Sequence, residues 1–352
     1  MTVLLELRDK FKMIYSKNEV FILPVIKFLL AFIALTAING QMGYMSRIDN
    51  AGIVLVAALA CSFLPVGAVT LFSFLFILLH LYSLSLEVAV VGLVVCMLIY
   101  LMSSRFAPKN SVVISIIPLL YFMKIPYILP VILGLLGTPV ISIAAACGVV
   151  LYYLILAVTV NASTINTMGT EDAVSKIRLV LDTLLGSKAM MVTVVAFVIT
   201  IIVVYIIRRM SVDHSWMIAM AAGVVLNVVI MLVGDLIYET NISVLGVILG
   251  NILGMGIAKV IEFFRFCVDY SRTEKVQFED DEYYYYVKAV PKMTVAAPTK
   301  TVKHINTQRV RSVSTERTRR ENVTRRNSSV GRQSVTIGNQ RDEVEEDYEE
   351  LF

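Results

Sequence analysis

The sequence has few of the residues that catalytic and metal sites need. Only three histidines and four cysteines occur among 352 residues, and none has the spacing of a metal-binding pair such as HExxH or CxxC. The phosphate-binding pattern GxxxxGK[ST] and the nucleophile pattern GxSxG are also absent. These absences predict a protein that is not an enzyme, holds no metal or cofactor, and does not itself use ATP.

Charged residues are also scarce, at 16% of the chain against 57% hydrophobic residues. A nearly continuous series of apolar runs fills residues 21–264, and a water-soluble fold cannot bury so many runs of this length. The first twenty residues have mixed charge, and no small-residue cleavage site follows 21–38, so this run is expected to remain as a membrane helix. The fold class predicted is an all-α polytopic membrane protein.

Six apolar runs are long enough to cross a bilayer as complete helices. Each has about 17–23 residues, which at about 1.5 Å per residue matches a hydrocarbon core of roughly 30 Å. The six predicted spans are 21–38, 86–102, 140–160, 190–207, 216–237 and 242–264.

Two further apolar stretches, 51–82 and 111–137, are interrupted. Pro65 lies within the first interruption and Pro126 within the second, and the arm before each has only about 13 residues, too few for an untilted crossing. Proline removes a backbone donor and restricts the residue before it, so both prolines are predicted breakpoints within the membrane. These stretches bring the expected total to as many as ten helices.

Basic residues in the short loops predict the orientation. They cluster in residues 1–20, 103–110 and 208–215 and just before the tail, so both termini are expected to be cytoplasmic. Residues 39–50 and 238–241 are expected outside, and 161–188 predicts an amphipathic helix on the outer interface. Each interrupted stretch then either forms two short crossings or is a re-entrant hairpin, followed in both cases by a full helix. The second alternative gives two units, 51–102 and 111–160, of opposite orientation, as in inverted-repeat transporters.

Ionisable groups at membrane depth are costly and therefore mark possible substrate or ion paths. Lys124 lies just before Pro126, where its ammonium could meet freed carbonyls, a carboxylate or a substrate anion, or else extend to an interface. His80 and Glu87 are seven residues apart, but Ser83 and Ser85 are expected to end the helix between them. Glu87 then has the alternative role of capping the next helix at the outer interface.

Two amides and a glycine series form a second group of candidates. Asn227 and Asn251 lie in the middle of the last two spans, and Gly246, Gly250 and Gly254 are spaced four apart in the final one. Glycines at this spacing allow close approach of helices, and a buried asparagine can then bond across the seam. Tight packing, within the chain or between copies, and a substrate path along the groove are both open.

The C-terminal part differs in composition from the membrane region. The predicted division is a cytoplasmic segment 1–20, a membrane domain 21–265, a juxtamembrane segment 266–297 with a short strand, and a disordered charged tail 298–352. Residues 303–332 hold nine basic and two acidic residues, and the last twelve hold seven acidic ones. This tail could bind anionic lipid or a protein. Nucleic acid is not expected, because no aromatic residues lie between the arginines.

The strand is predicted from aromatic and β-branched residues in 276–292, where four tyrosines (283–286) follow an acidic turn. This stretch, together with the overall layout, resembles uncharacterised polytopic membrane proteins of anaerobic Gram-positive bacteria, some of which are labelled ABC-transporter permeases. The family has no established chemistry to carry over, and the permease label alone connects the resemblance with a separate ATPase subunit. The chain departs from import-type permeases in that neither cytoplasmic loop, 103–110 or 208–215, is long enough for their coupling loop.

The function expected is that of a permease-like or secondary-transport subunit of a bacterial plasma membrane, with both termini cytoplasmic. The alternative is a membrane anchor that recruits partners through its tail. The partners expected are the lipid bilayer, with a second copy or an ATPase subunit as alternatives. Deep polar groups that converge on one cavity would favour transport, and a dry bundle would favour the anchor.

Overall fold

The computed structural model describes residues 2–169, 172–240, 242–265, 274–280 and 282–289. The tail 298–352 and its predicted disorder lie outside the described residues. Within them the chain forms twelve α-helices and one β-hairpin. The bounds are α1 Thr2–Lys17, α2 Glu19–Met42, α3 Ala51–Phe63, α4 Ala68–Leu84, α5 Leu86–Phe106, α6 Val113–Phe122, α7 Leu129–Leu136, α8 Ile141–Thr167, α9 Ala173–Leu185, α10 Lys188–Arg208, α11 Ser215–Tyr238, α12 Val244–Arg265, β1 Glu274–Glu279 and β2 Tyr284–Ala289.

Six of these helices have the length and apolar composition of membrane spans, which confirms the predicted all-α membrane fold. They are α2, α5, α8, α10, α11 and α12, and each contains one of the six predicted runs apart from one or two end residues. Most extend past the predicted ends. In α2, for example, the helix continues through Asn39 and Gln41 until Gly43 takes the left-handed conformation that ends it.

Helix α8 lies at the centre of the bundle. In its most apolar window 67% of the residues are buried in protein, whereas the corresponding share is 33% or less in α2, α5, α11 and α12. Small residues allow the close packing: a Cβ added at Gly148 would lie 2.9 Å from the Ile117 Cβ of α6. The outer helices therefore turn their exposed apolar side chains toward lipid, while α8 contacts other helices on most sides.

Both interrupted stretches break at the predicted positions. Leu64, which precedes Pro65, is extended (ψ 166°), and it separates α3 from α4. In the second stretch α6 ends at Phe122, and a single-turn 3₁₀ helix, Pro126–Ile128, leads into α7. A residue that precedes proline disfavours the helical conformation, and this explains the break at Leu64 directly.

The first hairpin, α3–α4, has its tip beside the linker between α5 and α6. The Thr70 hydroxyl donates to the carbonyl of Ser111 at 2.9 Å, and the Ser62 hydroxyl donates to the carbonyl of Pro24 at 2.9 Å. Its tip thus lies at the end of the bundle that holds Arg105 and Arg208, here called the basic end. With arms of 13 and 17 residues, this hairpin extends through most of the bundle.

The second hairpin, α6–α7, starts and finishes at the basic end. Arg208 Nη2 donates to the carbonyl of Gly137 just after α7, at 2.6 Å. At the tip, the Tyr127 ring meets Phe197 edge-on, with centroids 6.4 Å apart, and Phe197 lies near the middle of α10. With arms of 10 and 8 residues, or about 15 and 12 Å, this hairpin is re-entrant and reaches about halfway.

The order hairpin then full helix therefore occurs twice, in opposite directions. Helix α5 runs toward the basic end after the first hairpin, and α8 runs away from it after the second. The hairpins differ in depth because their arms differ in length. The two units are alike in design rather than residue by residue.

The described part of the juxtamembrane segment is a hairpin of two strands, one more than predicted. Strands β1 and β2 pair antiparallel, with Val276 opposite Val287 and Glu279 opposite Tyr284. Asp280 closes the turn: its Oδ1 accepts from the backbone N–H groups of Glu282 at 3.0 Å and Tyr283 at 2.7 Å. The acidic residues therefore connect two strands instead of bounding one.

Candidate functional site

The candidate residues occupy separate places in the bundle instead of one cavity. Lys124 lies at the tip of the second hairpin, His80 and Glu87 lie at the end opposite the basic end, and Asn227 and Asn251 lie between α11 and α12. The structure therefore does not meet the criterion of convergence on one cavity for the whole set. Each place has its own partners and its own chemistry.

Lys124 has a left-handed backbone (φ 62°) immediately after α6. Its N–H donates to the carbonyl of Tyr121 at 2.9 Å, and the N–H of Ile125 donates to the carbonyl of Leu120 at 2.9 Å. This pair of bonds is the Schellman helix ending, in which glycine normally occupies the left-handed position. Lysine at this position carries a backbone strain of about 1 kcal/mol.

The side chain of Lys124 lines a cleft of about 230 Å³. The cleft lies between the last turns of α2, the end of α6 and the second half of α8. Within the described part of the chain, Lys124 makes no ion pair or side-chain hydrogen bond, so it meets neither a carboxylate nor a freed carbonyl there. The residues that line the cleft are Gln41, Tyr121, Phe122, Lys124, Tyr152, Ile155, Leu156 and Thr159.

Aromatic rings form one wall of this cleft. The rings of Tyr121 and Tyr152 are stacked with centroids 3.9 Å apart, Phe122 lies 5.9 Å from Tyr152, and Tyr153 meets Tyr152 edge-on at 5.2 Å. Stacked rings of this kind offer a rigid apolar face with polar hydroxyls at the rim. The cleft therefore combines one amino group, flat apolar surface and neutral hydrogen-bonding groups.

His80 is fully buried and uses both ring nitrogens. Nδ1 accepts from the backbone N–H of Met45 at 3.2 Å, which leaves the proton on Nε2 to be donated to Asn39 Oδ1 at 2.9 Å. Asn39 Nδ2 in turn donates to the carbonyl of Ile48 at 2.7 Å. His80 thus joins α4 to the end of α2 and fixes the 43–50 loop, so this arrangement is structural.

Glu87 lies in the first turn of α5, as the capping alternative predicted. It accepts a hydrogen bond from the Ser85 hydroxyl, and Lys176 Nζ lies 3.8 Å from its Oε2. Lys176 belongs to α9, the amphipathic helix predicted in 161–188, and is itself buried (6% exposed). The sequence analysis did not identify this partner. Lys176 lies four residues before Val180 and eight before Leu184, and this spacing is the signal that places it on the buried face of α9.

The two asparagines form a chain of hydrogen bonds across three helices. Asn251 Nδ2 donates to Asn227 Oδ1 at 3.1 Å, and Asn227 Nδ2 donates to Thr200 Oγ1 at 3.3 Å. All three side chains are fully buried. This geometry is that of bonding across a packed seam between helices.

Two of the three glycines in this series, Gly250 and Gly254, pack against the second hairpin. A Cβ at Gly254 would lie 2.9 Å from the Cα of Ile128, and a Cβ at Gly250 would lie 3.1 Å from the Cβ of Tyr127. Gly246 meets only Ser243 of its own segment. The close approach is therefore made by a broken helix tip within the chain.

Two cations satisfy carbonyls at the hairpins, a role that the sequence analysis assigns to neither of them. Lys27 Nζ donates to the carbonyl of Leu64 at 3.0 Å at the first tip, and Arg208 binds the carbonyl of Gly137. This is the role that had been considered for Lys124. A helix break leaves backbone carbonyls without hydrogen bonds, and these carbonyls need a donor. A basic residue on a neighbouring helix is therefore the sequence signal that could have identified Lys27 and Arg208.

Among the described residues, no three side chains of histidine, cysteine, aspartate or glutamate lie close enough to hold a metal ion. Compared with protein-family models, curated proteins and solved structures, the chain matches none.

Proposed function

We propose that this integral membrane protein is a permease-like or secondary-transport subunit of a bacterial plasma membrane, with both termini cytoplasmic. The observation that supports it is the re-entrant hairpin α6–α7, whose tip lies midway through the bundle beside a cleft that contains a lysine. Helices broken near the midplane are where many secondary transporters form their substrate sites. The repeated order of hairpin and full helix, in opposite directions, supports the same proposal.

Energy for transport would come from a coupling ion or from a separate ATPase subunit, because the chain has no phosphate-binding loop of its own. The resemblance to membrane proteins labelled as permeases supports the second source. A gene for an ATPase adjacent to the gene for this chain would be the simplest supporting observation.

Access from both sides tests the proposal. Tyr127→Cys places a thiol at the hairpin tip of a chain whose native cysteines have been replaced. In a carrier, impermeant thiol reagents should reach this position from either face of sealed vesicles of known orientation, as the site opens alternately. Val131→Cys is a matched control on the same hairpin, because Val131 is fully buried against α10 and α11 and should stay unreactive.

A cross-link makes the test sharper. A Cβ at position 250 would lie 3.1 Å from the Cβ of Tyr127, close to the roughly 3.8 Å of a disulfide. Gly250→Cys paired with Tyr127→Cys should therefore oxidise readily and hold the tip against α12. In the singly substituted Tyr127→Cys protein, access from only one face, or from neither, would contradict a carrier. In the pair, loss of transport on oxidation and its return on reduction would support one.

The second candidate function, a membrane anchor, is favoured by the fully buried Thr200–Asn227–Asn251 chain of hydrogen bonds and by exposed tyrosines on the β-hairpin. Tyr284 and Tyr286 lie on one face of β2, and both are more than two-thirds exposed. Removal of residues 298–352 distinguishes the two functions. A carrier should keep its transport activity, whereas an anchor should lose its partner while the membrane domain stays folded.

A further inference from the structure

We infer that the cleft at Lys124 binds a small anion with a flat aromatic or aliphatic body, such as a monocarboxylate, or the anionic headgroup of a lipid. As a substrate site this rests on the proposed transport function, but as a binding site it stands by itself. The cleft has a charge, a shape and a position that are each visible in the structure. Together they specify the chemistry of the ligand.

The charge comes from Lys124 alone. The other polar side chains that line the cleft, which include Gln41, Tyr152 and Thr159, are neutral. In the part of the chain that the structure describes, no carboxylate pairs with the Lys124 ammonium. Lys124 is exposed on the protein surface at this cleft. An ammonium at membrane depth without a counter-ion is costly, and binding an anion would reduce that cost.

The left-handed backbone conformation of Lys124 also supports a ligand site. Glycine would end α6 at this position with less strain, and asparagine would also be tolerated. The chain instead places a long cationic side chain there, at the tip of the re-entrant hairpin. Strained positions of this kind are concentrated at ligand sites, where the geometry of the side chain matters more than local stability.

The size and walls of the cleft restrict the ligand. A volume of about 230 Å³ is below the range of roughly 300–1,000 Å³ that is typical for drug-sized ligands. The stacked rings of Tyr121 and Tyr152 and the side chains of Ile155 and Leu156 provide the apolar surface. Gln41 can donate hydrogen bonds to the oxygens of a carboxylate or phosphate, whereas the Thr159 hydroxyl already donates to the carbonyl of Ile155 at 2.8 Å.

The test uses a thiol inside the cleft as a reporter of charge. Thr159→Cys is made in the full chain with its four native cysteines replaced by alanine, in vesicles of neutral phosphatidylcholine. Its rates of modification by an anionic and by a cationic methanethiosulfonate are compared. The anionic reagent should react faster, and the ratio of the anionic to the cationic rate should fall about tenfold in Lys124→Asn. This variant removes the charge, and asparagine tolerates the left-handed backbone. Lys124→Arg is the matched control and should keep the ratio.

Occupancy is measured as protection of the same thiol. Benzoate should slow modification and benzamide, which has the same shape without the charge, should not. The protection should disappear in Lys124→Asn. If phosphatidylglycerol in the vesicles also protects the thiol, a lipid headgroup can fill the site, and if only benzoate protects it, the ligand is a soluble anion.

A charge ratio that is the same in Lys124→Asn as in the parent would overturn the inference. So would equal protection by benzoate and benzamide, or no protection by benzoate and phosphatidylglycerol alike. Labelling reports occupancy rather than movement. Anion-dependent protection without access to Tyr127→Cys from both sides would therefore keep the binding site and remove the transport proposal.

Discussion

Gly254 and Gly256 of α12 differ in their distance from the tip of the second hairpin, so substituting each of them tests how tightly that tip is packed. A Cβ at Gly254 would lie 2.9 Å from the Cα and 3.2 Å from the carbonyl oxygen of Ile128, so backbone would have to move. A Cβ at Gly256 would meet nothing within 4 Å. Replacing either glycine by alanine raises helix propensity by about 1 kcal/mol, and this gain is common to both. The difference between the two variants therefore isolates the packing cost.

Overpacking of a close contact costs about 1–3 kcal/mol. Gly254→Ala should accordingly be less stable than Gly256→Ala by that amount, and Gly250→Ala should fall between them, since its new methyl would meet the Tyr127 side chain at 3.1 Å. The free energy of unfolding, followed by circular dichroism in one detergent, gives the comparison. If Gly254→Ala proved as stable as Gly256→Ala, the tip of the second hairpin could not rest on this face of α12.

Two further predictions concern the 43–50 loop and the β-hairpin. His80→Ala should leave Asn39 Oδ1 and the Met45 N–H without partners, at a cost of about 1–3 kcal/mol each. Limited proteolysis should then show faster cleavage in the 43–50 loop, with the more exposed Ser83→Ala as a milder control. In the β-hairpin, the backbone N–H of Glu282, the Tyr285 hydroxyl and the backbone N–H of Tyr283 hold the pKa of Asp280 below its ordinary value. Its contribution to hairpin stability is therefore present above the pKa of the unfolded chain and lost as pH falls through the lower folded value. Protection of the 283–285 amides from exchange, measured relative to the intrinsic rate at each pH, should fall in acid, and Asp280→Asn should remove that dependence on Asp280 ionisation.

The spans and the helix breaks could be predicted from the sequence because each depends on local chemistry. An apolar run has the length of a bilayer whatever surrounds it, and Pro65 and Pro126 each disfavour the helical conformation of the residue before them. Pro24 and Pro118 lie inside helices, so a proline alone does not decide where a helix ends. The bonding of Asn227 and Asn251 across a seam was predictable as a type of interaction, because a buried amide needs a partner. The identity of Thr200 as the third member was not, because it depends on how α10 and α11 pack.

Other features were beyond the sequence because they depend on contacts between distant segments. Lys176 belongs to a segment of mixed charge, where a solvated lysine is the ordinary expectation, and only the packing of α9 brings it to Glu87. Strand β1 has few strongly β-forming residues, and it is stabilised by pairing with the tyrosines of β2. The cleft at Lys124 needs the end of α2 beside α8, which no local pattern specifies.

The two hairpins differ in how they are held, and this difference indicates which one can move. The first tip is tied by side-chain hydrogen bonds to backbone carbonyls, among them Lys27 to Leu64 and Thr70 to Ser111. In the described part of the chain, no side-chain hydrogen bond joins residues 123–128 to another helix, and this second tip rests on Gly250 and Gly254 by van der Waals contact. Displacing the second tip would break no hydrogen bond to a neighbouring helix, whereas displacing the first would break at least three. Of the two tips, the one that carries Lys124 is therefore held to its neighbours by packing alone, so movement of this tip would be opposed by loss of apolar contact with Gly250 and Gly254 rather than by loss of hydrogen bonds.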